Sequence, residues 1–151
     1  MSNPGPAVTT SFHPSNVTTA QTLRLLAVVR GVNANAVGST AFQVNNTNNY
    51  LPTSIIYTNA NNAGATANLG SAAASIYTAP GGSGGSGTEL AAITTLANCT
   101  APLGTQVVTA YESTLAFSAQ TLYAYVGTAA GAVGTIDSYV YGYDFSVTGS
   151  Y

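Results

Sequence analysis

Short apolar runs alternate along the chain with stretches of Gly, Asn, Pro and Ser, and most runs show the two-residue period of a half-buried strand. The first is Leu23-Arg24-Leu25-Leu26-Ala27-Val28-Val29-Arg30, stopped by Gly31. Its length, Val29 and the glycine stop favour a strand, although Leu and Ala would also suit a short helix. Phe42 and Val44 mark a short strand within an Asn- and Gly-rich stretch. Further segments follow at 53–58, 73–78, 89–93, 106–110, 121–126 and 136–147. About seven or eight short strands separated by turn chemistry predict an all-β fold. The expected architecture is an antiparallel β-sandwich, jelly-roll-like, with an extended N-terminal arm.

Residues 1–21 are polar and carry Pro4, Pro6 and Pro14, so they read as that arm. Residues 22–151 read as a single sandwich domain, in keeping with a length of 151 residues. The run from Gly81 to Gly87 has the composition of a flexible linker. Strand patterns continue on both sides, so it is expected to be a mobile loop, not a domain boundary. It lacks the Lys and Ser/Thr ending of a phosphate-binding loop.

Alternation assigns faces. Tyr139, Tyr141, Tyr143 and Phe145 share one parity; Val140, Gly142 and Asp144 share the other. Four aromatics on one face leave two readings open, a core-facing ladder or a stripe presented to a partner. Tyr123 and Tyr125, on the preceding strand, are expected to extend either one by cross-strand pairing. In the first strand Arg24 and Arg30 share parity with Leu26 and Val28, which implies a face with charged ends and an apolar middle.

Composition sharpens the partner reading. Only Arg24, Arg30, Glu89, Glu112, Asp137 and Asp144 are charged, 4% of the chain, against about 25% in an ordinary domain. Two arginines and a net charge of -2 exclude counterion-releasing contact with nucleic acid. Coiled coils and amphipathic membrane helices need many more charges. No apolar run reaches the roughly 18 residues of a membrane span, and Met1 to Pro14 lacks a basic and an apolar signal region, so no membrane role and no signal peptide are expected. Interface cores are depleted in charge and enriched in tyrosine, and this chain has ten tyrosines. Much of its exterior is therefore expected to face a partner.

Candidate chemistry is sparse. His13 is the only histidine and lies in the arm, a poor place for a rigid triad. Cys99 is alone, so no intrachain disulfide forms, and it reads as a small buried apolar residue. One Cys and one His do not make a zinc site. The four carboxylates show neither the clustering of a glycosidase pair nor a calcium motif. The expectation is a non-enzyme without metal or cofactor.

Several segments resemble a group of small bacteriophage virion proteins that decorate or cement the capsid. Ser54-Ile55-Ile56-Tyr57-Thr58-Asn59-Ala60 is similar to their Ile-x-Val-x-Asn-Ala strand ending. Ala72 to Ala79 is like their Ala-rich lead into a Gly-Ile-Tyr-Thr strand, and Glu89-Leu90-Ala91-Ala92 sits where they carry Ile-Val-Ala. Leu122 to Gly131 and Asp137 to Phe145 resemble their last two strands. The likeness covers about residues 50–147; this chain is richer in tyrosine and has no lysine. It implies a β-sandwich on the capsid exterior of a virion. Its partners would be the major capsid protein and copies of itself, a homotrimer or lattice neighbours. The candidate interface residues are Phe12 and His13 of the arm and Tyr139, Tyr141 and Tyr143 of the last strand. The alternative expectation is a head- or tail-fibre adhesive module that stacks host-surface glycan on exposed tyrosines.

Overall fold

A computed structural model describes residues 23–45, 47–62, 65–100, 103–113 and 115–145. The arm, with Phe12 and His13, lies outside the described residues. The strands are β1 (Arg24–Asn33), β2 (Gly38–Gln43), β3 (Tyr50–Asn62), β4 (Ala65–Thr66), β5 (Ala73–Tyr77), β6 (Thr94–Thr95), β7 (Gln106–Thr109), β8 (Thr121–Thr128) and β9 (Thr135–Asp144). One sheet runs β1-β9-β3, with β7 and β4 along the outer side of β3; the other runs β2-β8-β5-β6. All pairs are antiparallel.

The pairing follows one rule. With the two-residue β4 set aside, eight strands remain, and they pair first with last, second with seventh, third with sixth and fourth with fifth. That is one long hairpin rolled up so that β9 also meets β3 and β8 also meets β5. The result is the β-sandwich expected from sequence, in jelly-roll order.

Inward residues of both sheets form the core. Ile55 and Tyr57 of β3, Ile76 of β5, Leu122 and Val126 of β8, and Ile136 and Val140 of β9 are buried. Burial pushes the Tyr50 phenol up to about 12 and raises that of Tyr57 further. Tyr50 nevertheless satisfies its hydroxyl by donating to the Ala119 carbonyl at 2.7 Å. Cys99 is fully buried, as read from sequence, and its thiol is also pushed up by burial.

Bulges correct the parity read for the first strand. Leu25 faces Tyr141 and Ala27 faces Val140, so Leu26 is an extra residue. Leu26 and Ala27 are consequently both buried, and Val28 turns outward beside Tyr139. The expected face of Arg24, Leu26, Val28 and Arg30 does not exist. Arg24 instead pairs with the buried Asp144 at 2.8 Å, closing one end of the sheet. Thr47 donates its hydroxyl to the other oxygen of the same carboxylate.

The central strand carries a second carboxylate with a precise task. The Asp137 side chain accepts the Gly31 amide at 2.9 Å and the Asn59 side-chain amide at 3.0 Å. Gly31 has φ 68° and Asn59 has φ 56°, and both sit where the ladders to β9 are interrupted. Asp137 therefore pins a bulge on each neighbouring strand. Its replacement leaves both irregular turns without their anchor. Asp137→Ala is expected to lower stability by about 3–6 kcal/mol, the scale of two hydrogen bonds to a charged group. Urea unfolding followed by near-ultraviolet circular dichroism measures this, and a loss below half a kcal/mol would refute the anchoring role.

Candidate functional site

The outward side of the β1-β9-β3 sheet gathers half-buried and exposed aromatic and aliphatic side chains in adjacent rows. Tyr139 lies between Val28 of β1 and Ile56 of β3, and Ile56 is followed by Val107 of β7. The next row is Leu25, Tyr141, Ser54 and Thr109. Beyond it Tyr143 pairs with Leu51, and its ring lies 6.4 Å from that of Phe145. Ile136, Ser138, Val140, Gly142 and Asp144 are buried on the opposite side of β9. The three tyrosines are only half-buried. They form an outward stripe; the core-ladder alternative is not what the structure has.

Solvent reaches this face. Val107 is 58% exposed, Leu23 just before β1 is 52% exposed, and Phe145 is 39% exposed. No charged side chain belongs to these rows. The reason is visible in the fold: Asp137, on the tyrosine side of β9, is covered by the two bulges that it anchors, and Asp144 points inward to Arg24 and Thr47. Glu89 is engaged at the sandwich edge by the Tyr77 hydroxyl at 2.9 Å, the Ile93 amide at 3.1 Å and the Tyr111 hydroxyl at 3.2 Å. This acceptor, together with burial, pushes the Tyr77 phenol up to about 12, burial being the larger cause.

The second sheet corrects another expectation. β8 does not pair with β9, so Tyr123 and Tyr125 do not extend the stripe; they face outward from the opposite sheet. The Gly81–Gly87 loop folds back over Tyr125 and is not a free tether. A Cβ on Gly82 would meet the Tyr125 ring at 2.3 Å, and Gly82 has φ 56°, so only glycine fits. Tyr125 also packs edge-on against Tyr77, with ring centroids 5.7 Å apart.

Among the described residues no group of three or more His, Cys, Asp or Glu could hold a metal, and no helix is long and apolar enough to cross a membrane. Tyr139, Tyr141 and Tyr143 are brought together on one face, as their parity requires. Leu25, Val28, Leu51, Ile56 and Val107 were not readable as site residues. Their membership depends on which strands flank β9, a non-local fact. Comparison with known proteins finds no matching family model, no matching curated protein and no matching solved structure.

The two classes of tyrosine differ in what they hold. Tyr57→Ala empties a fully buried position and is expected to cost about 3–5 kcal/mol. Tyr141→Ala removes a half-exposed ring and should cost about 1 kcal/mol. Thermal unfolding of the two variants distinguishes them; equal losses would mean that the outer tyrosines belong to the core.

Proposed function

We propose that this chain is a structural protein of a bacteriophage virion, a capsid decoration or cement protein rather than an enzyme. In this reading it docks on the lattice of the major capsid protein from the capsid exterior. The observation that carries the reading is the uncharged tyrosine and aliphatic face on the β1-β9-β3 sheet. Such a surface suits a partner that removes it from water. It lacks the charge that keeps freely diffusing proteins apart.

The strand motifs support the same reading, through their resemblance to capsid-decorating proteins. The jelly-roll order itself is shared by capsid and lectin domains and does not choose between them. A decoration protein meets a repeating lattice, so each contact can be weak while avidity holds the layer together. A stable interface buries about 1,600 Å² in total, a small part of the 8481 Å² that this chain exposes. Copies of the chain, arranged as a trimer or as lattice neighbours, would share the face with the capsid protein.

Stoichiometry in purified particles, measured by quantitative mass spectrometry against the most abundant virion protein, tests the reading. A simple integer ratio to the capsid protein is expected. Tyr141→Lys places a charge in the middle of the face and should leave the fold intact while removing the chain from particles. A copy number of a few per cent of the capsid protein would overturn a decoration role.

A further inference from the structure

β7 pairs with β3 only along Ser54–Tyr57. At Thr53, an extra residue in the β3–β9 ladder, the Ala110 amide still donates to the Thr53 carbonyl at 2.9 Å. Past that bond, residues 51–53 and 109–113 enclose a cleft of about 350 Å³. This is within the size range of small-molecule sites, about 300–1,000 Å³. Leu51, Pro52, Ala110 and Tyr111 supply apolar walls; Thr53, Thr109, Glu112 and Ser113 supply polar ones.

Two residues of the cleft stand out. Tyr111 is 50% exposed but tied at both ends. Its amide donates to the Leu90 carbonyl at 2.8 Å and its hydroxyl to Glu89 at 3.2 Å. A large exposed ring is thereby fixed in advance, which lowers the ordering cost of binding. Glu112 is the second. Glu89, Asp137 and Asp144 each accept hydrogen bonds inside the fold. Among the described residues nothing engages the Glu112 carboxylate, and nothing engages the neighbouring Thr109 hydroxyl. Thr53 and Ser113 are already committed, to the Tyr141 and Leu115 carbonyls.

We propose that this cleft binds a neutral saccharide. One sugar ring would lay its C–H face on Tyr111, donate adjacent hydroxyls to the two Glu112 oxygens, and exchange a hydrogen bond with Thr109. The chemistry selects a ligand that presents an apolar face, donors and acceptors together. A primary amine would use the carboxylate and the ring but would leave the donor capacity of the hydroxyl and the aliphatic walls unused. This inference does not rest on the capsid reading: Tyr111 and Glu112 lie outside the tyrosine rows, and Leu51 and Thr109 are the residues that the cleft shares with that face.

The test is amide chemical-shift mapping on the isotopically labelled full chain, with the methyl glycosides of glucose, galactose, mannose and N-acetylglucosamine as probes. Shifts confined to residues 51–53 and 109–113 are expected with at least one probe. Tyr111→Ala should weaken binding at least tenfold, and Glu112→Gln several-fold, with the remaining spectrum unchanged. Binding should survive about 1 M salt, where the Debye length is only about 3 Å. Should Tyr111→Ala fail to fold, the exposed Glu112→Gln variant decides alone. No shift with any glycoside at its solubility limit, shifts elsewhere, or full binding by Glu112→Gln would overturn the proposal. So would salt-sensitive binding of lysine methyl ester in place of the sugars. Capsid stoichiometry is measured separately, so failure here leaves that result standing.

Discussion

β9 is hydrogen-bonded along both edges, to β1 on one side and to β3 on the other. A strand in that position cannot slip by one residue without turning Val140 outward and the tyrosines into the core. Its register is held at one end by Asp137, which anchors a bulge on each neighbour, and at the other by Asp144, which meets Arg24 and Thr47. The order of the inner residues, the outward tyrosines and the rows that flank them all depend on that single placement. Gly142 is part of it: a Cβ there would lie 2.1 Å from the Leu51 carbonyl oxygen and 2.7 Å from Leu26. The close approach of β3 at Pro52 thus needs a residue with no side chain.

The same carboxylates explain why the exterior is so poor in charge. The chain has four, and three are used as internal acceptors. Among the described residues, Arg30 and Glu112 are the charged side chains without a hydrogen bond or ion pair. Thr, Ser and Asn supply most of the remaining polar side chains, and the outer sheet face is left to tyrosines and aliphatics. Such a face is a liability for a free monomer and suits the proposed role, in which a partner covers it. Tyrosine suits that compromise, since its ring is apolar and its hydroxyl tolerates water.

Much of the fold was legible because it is local. The runs at 53–58, 73–78, 106–110, 121–126 and 136–147 all fall on or overlap strands, because alternation and β-branching act within a few residues. The segment 89–93 was apolar for another reason: Leu90 and Ala91 are buried where the loop returns along β5, ahead of the short β6. The extra residue at Leu26 was invisible because a bulge leaves no mark in a two-residue period. Sheet membership was hidden for Tyr123 and Tyr125, since β8 and β9, adjacent in sequence, lie in different sheets of the rolled hairpin. The glycine run looked like a tether because composition does not show that Tyr125 lies beneath Gly82. Of the candidate site, parity showed that the tyrosines share a face but not that the face is outward; that, the flanking rows and the Tyr111–Glu112 cleft required the sheet order.

The central proposal is that the β1-β9-β3 face meets a partner, in the proposed role within a virus particle. Tyrosine-selective iodination followed by peptide mass spectrometry, on the free chain and on intact particles, addresses it most directly. Tyr139, Tyr141 and Tyr143 are expected to react in the free chain and to be protected in the particle, while Tyr123 serves as the control on the opposite sheet. Equal labelling of the three tyrosines in both states would contradict the account.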